Sequence, residues 1–247
     1  MSLFIALPTH DFTRSNGMAL LTLQKQVPDA VAMETQSSLL AFSFNKLWYA
    51  ALRARERNGI THFLMLHSDV SPMGDTWFHQ LLGEMVSTKA GVLSVIIPIK
   101  TGAGLTSTAM ETGEEFRPRR LTLTEAYARP QTWTAPDLLF NTGCLLVDFT
   151  QPWVEKVHFT MRDVILQTPE GPIPATEPED WNFSRQCRAL GVSCYVTRKV
   201  GIMHRGTIGF SNMEAWGLPS DPAFAPRLVE AVSHVPSKLE RRGVVTR

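Results

Sequence analysis

Short apolar runs alternate with helical patterns in the N-terminal part of the chain, and this alternation constrains the fold most. Residues 3–7 (LFIAL), 60–66 (ITHFLML) and 92–99 (VLSVIIPI) have the apolar character of strands. Residues 37–57 repeat apolar side chains at helical spacing, and Asp75 can cap a second such pattern. The order strand, helix, strand, helix, strand predicts an α/β fold with a mostly parallel central sheet and helices on both faces.

The composition excludes several classes of protein. The chain has 24 Lys and Arg against 23 Asp and Glu, so its formal charge of +1 gives no overall attraction to nucleic acid or anionic lipid. Its three cysteines, none in a C-x-x-C pair, argue against a disulfide scaffold or zinc knuckle and favour a reducing compartment. No apolar stretch approaches the ~20 residues of a transmembrane helix. We therefore expect a cytoplasmic protein without a membrane span.

The pattern predicts a single domain over residues 1–217 and a basic, proline-interrupted tail over residues 218–247. Residues 100–136 lose the apolar rhythm, which indicates a loop or a small insertion over the sheet. A proline-rich loop is predicted at 168–180, leading into a short helix. Another helix is predicted after Pro152, on the apolar residues Val154, Val157, Met161 and Ile165.

The sequence His67-Ser68-Asp69 comes directly after the second strand. Open α/β sheets bind ligands in the crevice at the carboxyl ends of their strands. A carboxylate there can hold Mg²⁺ or Mn²⁺, which complete their coordination with phosphate oxygens and water. The alternative is that Asp69 caps the following turn at Ser71-Pro72.

Glu179 and Asp180 stand at the start of the short helix, where carboxylates act as caps or, in a cleft, as a general base. His204 is either structural or a ligand for Mn²⁺, and Arg205 beside it suits a phosphate. Lys100 lies in a glycine-containing loop that lacks the spacing of a Walker motif, which leaves it as a lysine able to reach a cleft.

The order of these segments resembles the GT-A glycosyltransferases, especially the compact family-2-like enzymes common in bacteria and phages. The resemblance covers roughly residues 3–210. It rests on a helix with Asn45, on an acidic pair opening a helix, and on a late histidine. The matching segments are IALPTHD, SLLAFSFNKLWYAAL, FLMLHSDV, NTGCLLVDF, EDWNFSRQCRALG and VGIMHRG. His67 departs from the family's Asp-x-Asp motif, in which Asp69 matches the second aspartate.

The resemblance implies transfer of a sugar from a nucleoside-diphosphate donor to a hydroxyl acceptor, assisted by Mn²⁺ or Mg²⁺. It implies Asp69, His204 and His67 as metal ligands, and Asp180 as the base, with Glu179 as the second choice. The remaining expected donor-binding residues are Pro8, Thr9, His10, Asn45, His67, Ser68, Lys100 and Arg205.

Three alternatives stay open. A nucleotide-sugar-binding protein without transfer activity would explain His67. A nucleotidyltransferase would share the layout, although the loop THDFTRSNG is a poor version of its basic, glycine-rich loop. A DNA-modifying glycosyltransferase acting on a hydroxylated base would use basic residues on phosphates. The candidates for such contacts are Arg117, Arg119, Arg120, Lys238, Arg241 and Arg242.

Overall fold

The computed structural model describes residues 1–11, 13–114, 116–206 and 208–217. The predicted tail, with Lys238, Arg241 and Arg242, lies outside the described residues. Within them the protein is a mixed α/β structure built on a seven-stranded sheet in the order β2-β1-β3-β10-β5-β13-β8. Three smaller sheets, β11-β12, β15-β14-β4 and β7-β6-β9, accompany it.

The helices and strands have the following bounds. The helices are α1 (Gly17–Gln26), α2 (Leu40–Asn58), α3 (Trp77–Thr88), α4 (Leu123–Tyr127), α5 (Glu179–Ala189) and one 3₁₀ turn (Pro152–Glu155). The strands of the main sheet are β1 (Leu3–Thr9), β2 (Val31–Gln36), β3 (His62–Leu66), β5 (Val92–Val95), β8 (Thr132–Trp133), β10 (Cys144–Asp148) and β13 (Cys194–Thr197). The other strands are β4 (Val70–Pro72), β6 (Leu105–Met110), β7 (Arg119–Thr122), β9 (Leu138–Leu139), β11 (Arg162–Thr168), β12 (Gly171–Glu177), β14 (Ile202–Arg205) and β15 (Gly209–Ser211).

The main sheet is mostly parallel, as the alternation of strands and helices predicts. Strand β1 runs parallel to both β2 and β3, and β13 runs parallel to β5. Strand β10 lies antiparallel between β3 and β5, with Cys144 opposite Leu66. The start of β10 therefore meets the carboxyl end of β3. This brings the segment 140–143 to the same edge of the sheet as Asp69.

Helices cover both faces of the sheet, and alternate strand residues separate two cores. Phe4 and Phe63 face α2, whose Trp48 is fully buried and donates its indole N–H to the Val154 carbonyl oxygen at 2.9 Å. Leu3 and Leu64, one position away in each strand, join the second core with α1 and α3. None of the helices within the described ranges has the length and hydrophobicity to cross a bilayer.

Two local predictions were wrong, and the pairing of one hairpin is the reason in both. The helix predicted after Pro152 is a single 3₁₀ turn, because residues 162–168 pair instead with residues 171–177 as the hairpin β11-β12. The same pairing converts part of the predicted proline-rich loop into strand β12. Of the two alternatives predicted for residues 100–136, the structure has the small insertion, which holds β6, β7, α4 and β8.

Candidate active site

Asp69 lies just beyond the carboxyl end of β3, where the side chains of a lysine and a histidine contact its carboxylate. The Lys100 ammonium forms an ion pair with its Oδ2, and His204 Nε2 lies 3.3 Å from the same oxygen. The strand pairing β4-β14 sets this approach, because His204 is opposite Val70 and the Arg205 backbone N–H donates to the Asp69 carbonyl oxygen. The sequence predictions for Asp69 and His204 thus fall on neighbouring side chains.

Burial alone would raise the pKa of Asp69, but hydrogen bonds from His204 and Lys100 outweigh it and hold the pKa well below its usual range. The carboxylate is therefore charged at every physiological pH. A permanent negative charge at the end of a parallel strand is the feature that a cation-assisted phosphate site needs.

The orientation of His204 fits a divalent cation. Its Nδ1 donates to the Pro98 carbonyl oxygen at 2.7 Å, which turns Nε2 toward Asp69 and leaves Nε2 as the ring nitrogen able to bind a cation there. The 3.3 Å between Nε2 and Oδ2 is near the ~3 Å that separates adjacent ligands on an octahedral ion with bonds of ~2.1 Å. No group of three or more His, Cys, Asp or Glu side chains suited to a metal occurs among the described residues. Asp69 and His204 are therefore the two neighbouring side chains that could hold a divalent cation.

The surroundings of His67 keep its imidazole neutral. Burial, followed by the charges of His204 and Lys100, lowers its pKa to about 4 against the opposing effect of Asp69. Its ring packs on Phe44 with centroids 5.0 Å apart, and its Nε2 lies 3.5 Å from the Thr142 hydroxyl. His67 is therefore a neutral imidazole beside the charged cluster, and its role as a metal ligand stays a prediction.

The side chain of Lys100 passes close to the backbone of Gly206 on its way to Asp69. A Cβ atom added to Gly206 would come within 3.1 Å of Lys100 Cδ, so the absence of a side chain at 206 lets the lysine stem lie close to the backbone. The neighbouring Arg205 is exposed, at the same edge of the sheet. These two cations and Asp69 are the charged groups that a diphosphate would meet here.

The loop after β1 borders the same edge. Pro8 and Thr9 are the last residues of β1, and both are buried, whereas His10 is exposed. The Thr9 hydroxyl is buried and has no hydrogen-bond partner within the described part of the chain. The loop is tied to the Asp69 segment because the Ser15 N–H donates to the Ser68 carbonyl oxygen at 2.9 Å.

Asn45 has a structural contact instead of a free amide. Its Nδ2 donates to the Phe159 carbonyl oxygen at 2.7 Å, and its Oδ1 accepts from the Phe159 N–H at 2.8 Å. Both polar atoms of the side chain are committed to one backbone unit. The Asn45 side chain fixes the segment at Phe159, which in turn packs on Phe44 with ring centroids 5.3 Å apart, and its contact with a donor stays a prediction.

Glu179 and Asp180 open α5, as predicted, and their pKa values are unusual. Burial raises the pKa of Glu179. Burial and then the charge of Glu179 raise the pKa of Asp180 to about 7, although Arg120 and the Trp181 backbone N–H act in the opposite direction. The Trp181 N–H donates to Asp180 Oδ1 at 2.8 Å. A carboxyl group that titrates near neutrality is matched to proton transfer at physiological pH.

A short segment links the Asp180 end of α5 to the Asp69 cluster. The Ser184 hydroxyl donates to the carbonyl oxygens of Asp180 and Phe140, at 2.8 and 3.2 Å. Two residues beyond Phe140, the Thr142 hydroxyl contacts His67. Gly143 cannot carry a side chain here, because a Cβ atom would lie 2.7 Å from Ile97 Cδ1. The segment 140–143 therefore packs tightly between the two acidic sites.

The arginine cluster predicted for phosphate contacts is largely neutralised by the protein's own carboxylates. Arg117 pairs with Glu114 at 3.4 Å on the surface, and Arg119 pairs with the buried Glu125 at 2.7 Å. Arg120 instead lies over the ring of Trp181, 4.7 Å from its centroid.

A groove of about 650 Å³ lies away from these groups, at the opposite edge of the sheet. His62, at the start of β3, and Asp148, at the end of β10, line it together with Lys89 and Lys156. None of the predicted site residues contributes to this groove, so its size alone does not make it the site.

Sequence reasoning missed several contacts that shape the site. The Pro98 carbonyl oxygen fixes the ring of His204, and the Asn16 amide donates to the His67 carbonyl oxygen at 2.8 Å. Neither has a sequence signal, because a backbone carbonyl is unmarked and Asn16 stands in an ordinary polar loop. Thr142 was detectable, because it lies in the small-residue segment NTG.

Comparison with known proteins gives evidence on the fold. No protein-family model matches the chain, and no curated protein matches it. The solved structure of A197 from STIV superposes with a TM-score of 0.53 at 16% identity, over 89% of this chain and 94% of that chain. A putative glucose-1-phosphate thymidylyltransferase from Bacillus anthracis, solved with sucrose, gives a TM-score of 0.38 at 9% identity, over 82% and 88%. The first similarity shows a shared fold, and the second is too distant to support an argument.

Proposed function

We propose that this protein is a GT-A-type glycosyltransferase that moves a sugar from a nucleoside-diphosphate donor to an acceptor hydroxyl. The observation that carries the proposal is the convergence of His204 and Lys100 on Asp69 at the carboxyl edge of a parallel sheet. An acidic pair with raised pKa values lies at the same edge, across the segment 140–143. The reaction requires a site that binds the donor phosphates and a base that deprotonates the acceptor hydroxyl. The Asp69 cluster is the candidate for the first, and the pair Glu179 and Asp180 is the candidate for the second.

On the donor side, Lys100 and Arg205 place positive charge where the diphosphate leaves. Fixed positive charge at that position stabilises the developing negative charge of the leaving group. Asp69 and His204 would hold a divalent cation, whose chemistry when bound is to neutralise the diphosphate. We assign contacts with the remainder of the donor to the neutral ring of His67 and to the buried Thr9 hydroxyl, which has no hydrogen-bond partner among the described residues.

On the acceptor side, Asp180 takes the proton from the attacking hydroxyl. One positioned base of this kind contributes roughly 10²–10⁴-fold to the rate. Attack by a deprotonated hydroxyl on the face opposite the leaving group inverts the anomeric centre. We propose this inverting course on the assignment of Asp180 as the base, with Glu179 as the second candidate.

A ligand panel tests the donor assignment. Unfolding temperature is measured with UDP-, GDP-, CMP- and dTDP-sugars, each with Mn²⁺, with Mg²⁺ and with chelator. A ligand at 100 times its dissociation constant adds about 2.7 kcal/mol to the free energy of unfolding. We expect one nucleotide class to raise the unfolding temperature, and the metal to increase that rise.

The control for this panel is Asp29→Asn, which removes an exposed carboxylate between α1 and β2 and should leave every shift unchanged. A shift of equal size with chelator would overturn the metal assignment and leave Lys100 and Arg205 as the cations. Absence of a shift with every donor would overturn the proposed function.

The turnover number should rise with pH through about 7 and then level off. Asp180 must lose its proton to act as a base, and its pKa is about 7. The charged groups that set this value are Glu179, which raises it, and Arg120, which lowers it. Turnover at saturating substrate between pH 5 and 9 measures the effect, with unfolding temperature followed over the same range. A flat profile would contradict the assignment of the base.

Two of the alternatives lose support from particular contacts. The basic residue of the loop after β1, Arg14, forms an ion pair with Glu34 on β2, which weakens the loop as a nucleotidyltransferase phosphate loop. Arg117 and Arg119 are paired with Glu114 and Glu125, which weakens a DNA-phosphate patch. If DNA is the acceptor, its affinity falls steeply with salt concentration.

A further inference from the structure

Arg120 differs from its neighbours because it has no carboxylate in salt-bridge contact among the described residues. Its Nη1 makes one long contact, 3.4 Å, to the Thr106 carbonyl oxygen, and its guanidinium lies over the ring of Trp181. Arg119, the preceding residue, pairs with Glu125. Both arginines are half-buried, so the difference is one of partners and not of exposure.

Arg120 lies between the two parts of the proposed active site. Thr106, which accepts from Arg120, forms a bridge with Pro98, and the Pro98 carbonyl oxygen holds the ring of His204. On its other side, Arg120 is close enough to Asp180 for each charge to shift the pKa of the other group. The guanidinium of Arg120 is therefore near the proposed base, Asp180. The cations near Asp69 are Lys100 and Arg205.

A half-buried guanidinium without a carboxylate in salt-bridge contact is unfavourable, because burial removes water that solvates its charge. Stacking on an indole offsets part of this cost and leaves N–H groups of the guanidinium available. Trp181 adds a second donor: its indole Nε1 is buried and has no hydrogen-bond partner within the described ranges. A buried indole N–H without a partner, beside a guanidinium whose one hydrogen bond in the described ranges is long, indicates that an acceptor-rich group belongs there.

We propose that Arg120 binds an oxyanion of the acceptor substrate, a phosphate or a carboxylate, next to Asp180. The planar fork of a guanidinium matches both anions in a bidentate manner. The inference rests on the proposed function and adds the substrate class: the acceptor is a negatively charged molecule. Arg120 orients its hydroxyl toward Asp180 by holding the anionic end.

The indole N–H signal of Trp181 in ¹⁵N-labelled protein tests the site without any turnover. The protein has six tryptophans, so Trp181→Phe assigns the signal. Inorganic phosphate is titrated at low ionic strength in the presence of a saturating nucleoside diphosphate. Its nucleoside is that of the nucleotide sugar that binds most strongly in the panel. We expect a saturable shift of the Trp181 signal in the wild-type protein, and at least a tenfold weaker phosphate affinity in Arg120→Gln.

Matched variants separate phosphate binding at the proposed acceptor site from phosphate binding at the proposed donor site. Arg117→Gln, in the same cluster, should bind phosphate as the wild type does. Lys100→Gln should lose nucleoside-diphosphate affinity and keep the phosphate response, whereas Arg120→Gln should do the reverse. Equal loss of nucleotide and phosphate binding in Arg120→Gln would overturn the acceptor assignment, because Arg120 would then belong to the donor site.

The remaining outcomes also decide the question. A wild-type protein whose Trp181 signal shows no saturable response would overturn the oxyanion site. A phosphate response that depends on Arg120 in a protein that binds no nucleotide would support the oxyanion site and overturn the proposed function. Arg120→Lys, which keeps the charge but not the planar fork, should fall between the wild type and Arg120→Gln.

Discussion

Asp69→Asn is expected to weaken metal-dependent binding of the nucleoside-diphosphate donor by at least about 100-fold. The variant keeps the shape of the side chain but removes the negative charge on which Lys100 and His204 converge. Changes at residues that only support a metal ligand already cost about 10–100-fold in affinity, and Asp69 is the proposed charged ligand itself. Titration of the donor with and without Mn²⁺ measures the loss.

The direction of change without metal makes this result decisive. If Asp69 serves only as the counter-ion of Lys100, Asp69→Asn frees the ammonium and tightens nucleotide binding in chelator. Such a gain, together with an unchanged response to metal, would contradict the proposed metal role. His204→Ala should show the same loss of metal dependence as Asp69→Asn, because it removes the second ligand.

Asp180→Asn is expected to reduce the turnover number at least about 100-fold and to leave donor binding intact. The amide cannot accept the proton of the acceptor hydroxyl, whereas the proposed donor contacts lie at the ion pair of Asp69 and Lys100. Single-turnover rates and donor affinity, measured on the same preparation, give the two quantities. Normal turnover in Asp180→Asn, with loss in Glu179→Gln, would move the base to Glu179.

Stability distinguishes this variant from a misfolded one. The folded-state pKa of Asp180, about 7, is above the ordinary 3.8, so the folded protein binds a proton that the unfolded chain has released. The free energy of unfolding therefore falls as pH rises from about 4 to about 7, and Asp180→Asn removes this loss. The variant should be at least as stable as the wild type at pH 7, and its advantage should disappear near pH 4.

The parts of the fold that the sequence predicted are those with local causes. Helix α2 keeps one apolar face from Leu40 to Ala51 and ends at Gly59, whose positive φ of 65° suits glycine. Strand β3 is an apolar run whose buried residues alternate between the two cores. Helix α5 begins at the predicted acidic pair. In each of these, periodicity and end signals agree with the tertiary environment.

The prediction after Pro152 was wrong because spacing alone does not report burial. Met161 and Ile165 continue a helical pattern, yet they are 48% and 71% exposed, and Ile165 belongs to a hairpin strand. Its partner β12 contains Pro172 and Pro174, which indicate a loop by composition. Because they occupy alternate positions, both missing N–H groups fall on the same edge of the strand, where a sheet tolerates proline.

The candidate site likewise has residues that the sequence predicted and contacts that it did not. The positions of Asp69, His204 and Asp180 follow from motifs whose order in the chain resembles a known family. The stacking of Arg120 on Trp181 does not, because it joins residues far apart in sequence and depends on the pairing of β6 with β7. The commitment of the Asn45 amide to Phe159, 114 residues away, was hidden for the same reason.

The position of β10 has a consequence for how such a protein diversifies. Strands β5 and β10 are hydrogen-bonded neighbours, and between Val95 and Cys144 the chain returns to the main sheet at its edge, in the two-residue strand β8. The excursion between them carries β6, β7 and Arg120. The part from Leu105 to Thr122 can change while the register of β3, β10 and β5 is kept and Pro98 and Lys100 stay in place. Grafting a different segment there is therefore a way to change the proposed acceptor preference without altering the proposed donor site.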